Sequence, residues 1–173
     1  MEGINHYENE FIKADRLISD GDAAMGKEII EGILSEIPDF GRAHNHLGWI
    51  FYYKLYDYAR AEYHYQLAMK FEPTYGAAYL NYTYLLVDLK RLDEAKKHID
   101  FAINTVGNPD LGSYYCELGR LYEIGLDFIS AYKYYRKAQY HSYSNSFIET
   151  LKLNGERVKD KMSIFEKLKL KFI

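Results

Sequence analysis

The sequence predicts an all-α protein built as a row of short helix pairs, and three regularities carry that prediction. The only prolines, Pro38, Pro73 and Pro109, stand 35 and 36 residues apart. Proline lacks an N–H and disfavours helical geometry in the residue before it, so one proline per period marks the exit from a helix. Small residues keep the same register: Ala61, Ala95 and Ala131 are spaced 34 and 36 apart, and so are Ala68, Ala102 and Ala138. Two alanines at fixed places in each period let a neighbouring helix approach closely. The third regularity is a slot held by Leu47-Gly48, Tyr82-Thr83 and Leu118-Gly119, followed about one turn later by Phe51, Leu86 and Tyr122.

The unit is most complete from Gly41 to Pro73, where Leu47-Gly48, Phe51, Ala61, Tyr65, Ala68 and Pro73 are the residue types that pack two antiparallel helices. In this it resembles the tetratricopeptide repeat. The resemblance implies a right-handed α-solenoid of about four helix-turn-helix repeats in a single domain, over residues 7–40, 41–75, 76–111 and 112–143, with residues 144–173 as capping helix or helices. The first unit has Ala14 and Leu17 in its first helix and Gly26, Ile30 and Ile33 in its second, with Gly21-Asp22 as the turn, which predicts helices near 4–19 and 23–36. The third departs from the family pattern at Tyr82-Thr83, but its second helix, RLDEAKKHIDFAI, fits. The fourth, through LGRLYEIGLDFISAYKYYRKA, is also similar to the related Sel1-like repeat, a unit of the same paired-helix kind.

No proline closes the fourth unit. A polar HSYSNS stretch follows it, and Ser146 three residues before Glu149 reads as a capping box opening another helix. Phe147, Ile148 and Leu151 are expected to cover the fourth repeat, and Asn154-Gly155 to interrupt the helix. Beyond it Val158, Met162, Phe165, Leu168 and Phe172 form one apolar stripe on a lysine-rich helix.

Composition narrows the function classes. The formal charge of −3 is uneven: residues 149–173 hold seven Lys/Arg against four acids, a net of +3, which leaves −6 on the first 148 residues. A body of that sign lacks the basic face that phosphate neutralisation needs, so no nucleic acid is expected as a partner. The single cysteine, Cys116, cannot form an internal disulfide, and a reducing cytoplasm is the expected location. No apolar run approaches the roughly 18 residues of a membrane span.

Catalytic constellations are not evident. His44 and His46 flank Asn45, yet residues two apart on a helix point to opposite sides and cannot share a metal, so the pair reads as packing or surface. The six histidines are scattered, with no HExxH and no cysteine cluster of zinc spacing, and the glycines stand singly rather than in a phosphate-binding run. Asp93-Glu94 opens a second helix, where acids favour the positive end of the helix dipole. A non-enzyme without metal or cofactor is therefore expected.

In the family that the repeats resemble, the first helix of each pair lines a concave groove that binds a peptide or protein segment. Carried onto this sequence, that face is Arg42, Asn45, Trp49, Tyr52 and Tyr53 in the second unit, Leu80, Asn81, Tyr84, Val87 and Asp88 in the third, and Ser113, Cys116, Glu117, Arg120 and Glu123 in the fourth. Phe11, Asp15 and Ile18 are offered by the first. The carboxylate clamp for chaperone C-termini, another use of this groove, needs Lys and Asn one turn apart, then Asn, then Lys and Arg. Here only Asn81 matches, because Asn45, Trp49, Ser113 and Glu117 occupy the other slots, and neutral and acidic groups cannot grip a carboxylate. The implied function is a non-catalytic adaptor with an aromatic-lined groove, its named rings accessible. The alternatives are self-association, as a homodimer, or membrane-surface contact through residues 156–173, and a secretion-chaperone-like grip on an unfolded partner.

Overall fold

The computed structural model describes residues 2–170, and among these every regular element is a helix. The chain divides into two compact units between Leu85 and Leu86. The first holds α1 (Glu2–Ser19), α2 (Ala23–Glu36), α3 (Gly41–Tyr53), α4 (Tyr58–Phe71) and most of α5 (Gly76–Asp88). The second holds the end of α5, then α6 (Leu92–Thr105), α7 (Leu111–Ile124), α8 (Phe128–Tyr140), α9 (Asn145–Lys161) and α10 (Ile164–Leu170). The prolines fall just past α2, α4 and α6, as their spacing predicts.

In the first unit α1 packs on α2 and α3 on α4, with α2 also against α3. The small residues act where the register puts them. A Cβ on Gly26 would stand 2.5 Å from Ile18 Cγ1 and 3.0 Å from the Ala14 carbonyl oxygen, so only glycine admits this crossing of α1 and α2. Ala61, Tyr65 and Ala68 are the buried face of α4. In the second unit α7 packs on α8, α8 on α9 and α6 on α7, and Ala131, Tyr135 and Ala138 of α8 meet Leu151 and Val158 of α9 in one core.

The turns inside the pairs repeat one device. Gly21, Tyr56, Lys90 and Leu126 all have positive φ, of 100°, 54°, 57° and 63°. In each the following residue turns its N–H back to the preceding helix, Asp22 to Leu17 O, Asp57 to Phe51 O, Arg91 to Leu86 O and Asp127 to Tyr122 O. This is the left-handed closure that ends many helices. Asp22, Asp57 and Asp127 then cap the next helix, each accepting from the backbone N–H three residues on.

The tail differs from its sequence reading in three ways. The cap of α9 is Ser144, whose hydroxyl accepts from Phe147 N at 3.4 Å, so the helix begins before Ser146, and Glu149 pairs with Lys152 instead of reaching back. Asn154-Gly155 does not break α9, because Leu151 and Val158 on either side are fully buried and hold the helix through a glycine that costs it only about 1 kcal/mol. The break comes at Met162-Ser163, and it splits the apolar stripe. Val158 and Met162 are core, whereas Phe165 and Leu168 sit exposed on α10, and Phe172 lies outside the described residues.

Candidate functional site

The first unit carries a cleft of 570 Å³ lined from α1, α3, α5 and the segments beside them. Asn45, Trp49 and Asn81, all read from sequence as groove residues, line it together with Asp15 and Ile18 of α1. Its floor is polar and built. Asn81 Nδ2 donates to Asn45 Oδ1 at 3.0 Å, and Asn45, only 4% exposed, also meets the Tyr75 hydroxyl, whose pKa is raised by burial and by neighbouring Glu72. A buried amide is costly unless partnered, and here three side chains from three segments share that cost. The wall is aromatic: Trp49 is half-buried, with Tyr53 at 5.3 Å between centroids and the Lys54 ammonium 5.4 Å from its ring centroid.

His46 also lines this cleft, a role the sequence did not suggest. Its Nδ1 faces the Arg42 carbonyl at 3.0 Å and its Nε2 faces Asp15 Oδ1 at 2.8 Å. Both partners are acceptors, so a neutral ring donates to one of them at a time, and the Asp15 contact links α3 to α1. His44, on the opposite side of α3, is turned into the packing with α4. Its Nε2 meets the Pro38 carbonyl at 2.9 Å and its Nδ1 lies 2.9 Å from His64 Nδ1. Since a carbonyl only accepts, the neutral His44 carries its hydrogen on Nε2 and takes one from His64 Nδ1. The two histidines of the HNH string thus have separate structural partners.

Other predicted groove residues of this unit stand differently. Arg42 is paired with Glu8 and, at 3.3 Å, with Glu72, and its guanidinium lies 4.9 Å from the Phe40 ring centroid. Tyr52 is only 5% exposed, which corrects the expectation of an accessible ring; it packs on Tyr53 with centroids 4.1 Å apart. Tyr53 is exposed, and Leu80 and Tyr84 are half-buried. Phe11 is buried against Phe40 and His46.

In the second unit the predicted residues form two ion clusters. Arg120 holds Glu117 at 2.7 Å and also Asp88. Glu117 is 4% exposed, and burial pushes its carboxyl up to about 7 against the pull of Arg120. Glu123, expected on an open face, is instead gripped by α9: Arg157 donates to both of its oxygens at 3.0 and 2.7 Å, Lys161 to Oε1 at 2.8 Å and the Tyr135 hydroxyl to Oε2 at 2.8 Å. Burial opposes its charge, but these donors outweigh it and hold the carboxyl at about 2. Ser113 is spent on the α7 cap, its N and Oγ on Asp110 at 3.1 and 2.7 Å. Val87 and Cys116 are buried, and burial pushes the Cys116 thiol up to about 12, which leaves it without thiolate character near neutrality. Among the described residues no group of three or more His, Cys, Asp or Glu could hold a metal ion, and no helix is long and apolar enough to cross a membrane.

Paired helices joined by left-handed turns, with small residues at the crossings, define an all-α fold of the tetratricopeptide-repeat type. The solved structures it resembles agree. PilW, described as a widely conserved type IV pilus biogenesis factor, matches with a TM-score of 0.73 and 15% identity over 92% of this chain and 80% of that one. The MamA RS-1 ArsTM double mutant matches with a TM-score of 0.66 and 14% identity over 89% of this chain and 93% of that one. MamA residues 41 to the end, from Desulfovibrio magneticus RS-1, match with a TM-score of 0.59 and 16% identity over 90% and 93%. No family model matches the sequence, and neither does any curated protein.

Proposed function

We propose that the chain is a non-catalytic binding module that takes a peptide or protein segment in the cleft beside Asn45, Trp49 and Asn81. One observation carries this reading: a cleft of 570 Å³ joins an aromatic wall at Trp49 to a fixed polar floor of Asn45, Asn81 and Tyr75. An extended segment needs both, apolar area for an anchor side chain and amide groups for its backbone. Rigid aromatics give large contact area at low entropy cost and are frequent hot spots. Asp15 and Lys54 at the rim give the cleft both signs of charge, so an uncharged anchor flanked by polar residues fits it best. The pairing of Glu117, Arg120 and Glu123 within their own unit supports a structural role for those charges rather than acid-base chemistry.

The test is selection of binders from a random-peptide display library against the intact chain, followed by affinity measurement on parent, Trp49→Ala and Asn81→Ala. Loss of Trp49 should weaken selected peptides by about thirtyfold, the scale of a hot-spot aromatic. Peptides that bind Trp49→Ala and Asn81→Ala as tightly as the parent would show that the cleft is not the binding site.

A further inference from the structure

The helix α10 presents its apolar residues outward. Ile164 and Phe165 are 77% and 78% exposed and Leu168 is 47% exposed, the first and last of these one turn apart and Phe165 beside them. Leu170, on the other side of the helix, packs against the core made by α8 and α9 and lines a hollow with Tyr132, Lys133 and Arg136. The one acid of the helix, Glu166, accepts from the Ser163 N and Oγ at 2.8 and 2.7 Å and closes the helix start. Lys167 and Lys169 are exposed and flank the apolar face. The result is a helix held to the body by one side, with three large apolar side chains set between ammonium groups on the other.

We infer that this face of α10 docks on an anionic lipid surface, with Ile164, Phe165 and Leu168 entering the acyl boundary and Lys167 and Lys169 at the headgroups. Charge complementarity favours this occupant, because the groups that flank the apolar face, Lys167 and Lys169, are both exposed lysines. Size argues against a second copy as occupant. The described part of α10, seven residues, is only about 10 Å long, and its three exposed apolar side chains fall far short of the roughly 800 Å² per partner of a standard interface. A lipid surface needs no shape match, only apolar depth and opposite charge.

The test is flotation of the full chain with vesicles of phosphatidylcholine alone and of phosphatidylcholine mixed with phosphatidylserine, with sedimentation to give its mass in solution. The expected result is a monomer that floats with the mixed vesicles, is left behind by the neutral ones, and is released by added salt. Ile164→Ser, Phe165→Ser and Leu168→Ser together should weaken vesicle binding by at least about tenfold. Lys167→Gln and Lys169→Gln should each cost about fivefold, with the folded state checked by circular dichroism. Failure to float with either vesicle, or equal flotation of parent and triple variant, overturns the inference. So does a parent dimer that the triple variant converts to monomer, which would assign the face to a second copy. None of these results depends on the peptide cleft.

Discussion

The ring of Tyr65 lies so close to the backbone of Gly48 that a Cβ there would fall 2.6 Å from both Cδ1 and Cε1, and Tyr135 stands against Gly119 in the same way, at 2.6 and 2.7 Å. One contact thus sets the distance between the two helices of the pair in each unit. Both tyrosines are fully buried, so neither ring can swing away to make room. Gly48→Ala and Gly119→Ala should each destabilise the protein by about 1–3 kcal/mol through overpacking, read by urea unfolding, although alanine is the better helix former. An unchanged midpoint would mean that the pair has slack the geometry does not show.

A second prediction concerns Glu123. Its folded carboxyl sits near 2, below the ordinary value of 4.5, because Arg157, Lys161 and Tyr135 favour the charged form. A depressed carboxylate contributes stability that is fully present above the unfolded value and is lost as pH falls through the folded one. Stability should therefore decline from about pH 4.5 toward pH 2 in the parent, and Glu123→Gln should remove about 1–2 kcal/mol at neutral pH while flattening that decline. Denaturant midpoints measured over this window for both proteins check it.

The His44 and His64 pair predicts an acid effect in a different window. Burial, then the charge of His44, hold His64 down to about 4 from its usual 6.5, with Glu31 opposing and Arg60 and Lys27 adding to the depression. His44 is lowered too, by burial, against the pull of the Pro38 carbonyl. For a base with a depressed folded value, the unfolded chain takes up protons first as pH falls. The contribution is complete above about pH 6.5 and is lost by about pH 4, on the order of 1–3 kcal/mol. His64→Gln, which keeps a donor for His44 Nδ1, should reduce the slope of stability against pH between those limits. An identical slope in parent and variant would count against the pairing.

The pattern of the chain was readable because it is local and repeated. Helices expected at 4–19 and 23–36 are found at Glu2–Ser19 and Ala23–Glu36, since Gly21-Asp22 and Pro38 punctuate them in sequence. What the sequence could not show is pairing over distance. His46 finds Asp15 31 residues away, and Glu123 finds Arg157 34 residues away, and nothing at any of these positions marks its partner. The same limit explains the groove. A helical face can be listed from periodicity, but whether Tyr52 stands in solvent or against Tyr53 depends on rotamers and neighbours that periodicity does not contain. The misplaced cap is a subtler case, because Ser144 and Ser146 are both of the residue type that caps helices, and their hydroxyls are hydrogen-bonded to each other at 3.0 Å, while Ser144 is the one that accepts from Phe147 N.

The left-handed turns give a fourth prediction. Tyr56, Lys90 and Leu126 hold a conformation that costs an L-residue about 1–2 kcal/mol, while the equivalent position in the first pair is Gly21. Lys90→Gly and Leu126→Gly should each raise stability by about 0.5–1 kcal/mol once the extra freedom of glycine in the unfolded chain is subtracted. A fall in melting temperature for either would indicate that its side chain makes contacts worth more than the strain.

The binding role of the cleft can be tested most directly through Trp49, which is the only tryptophan in the chain and stands in the cleft wall. Titrating a selected peptide while recording tryptophan emission reports on that one residue. The account predicts a saturable change in intensity and a shift to shorter wavelength, with the same midpoint as the binding heat. A peptide that binds by calorimetry and leaves Trp49 emission untouched would contradict it.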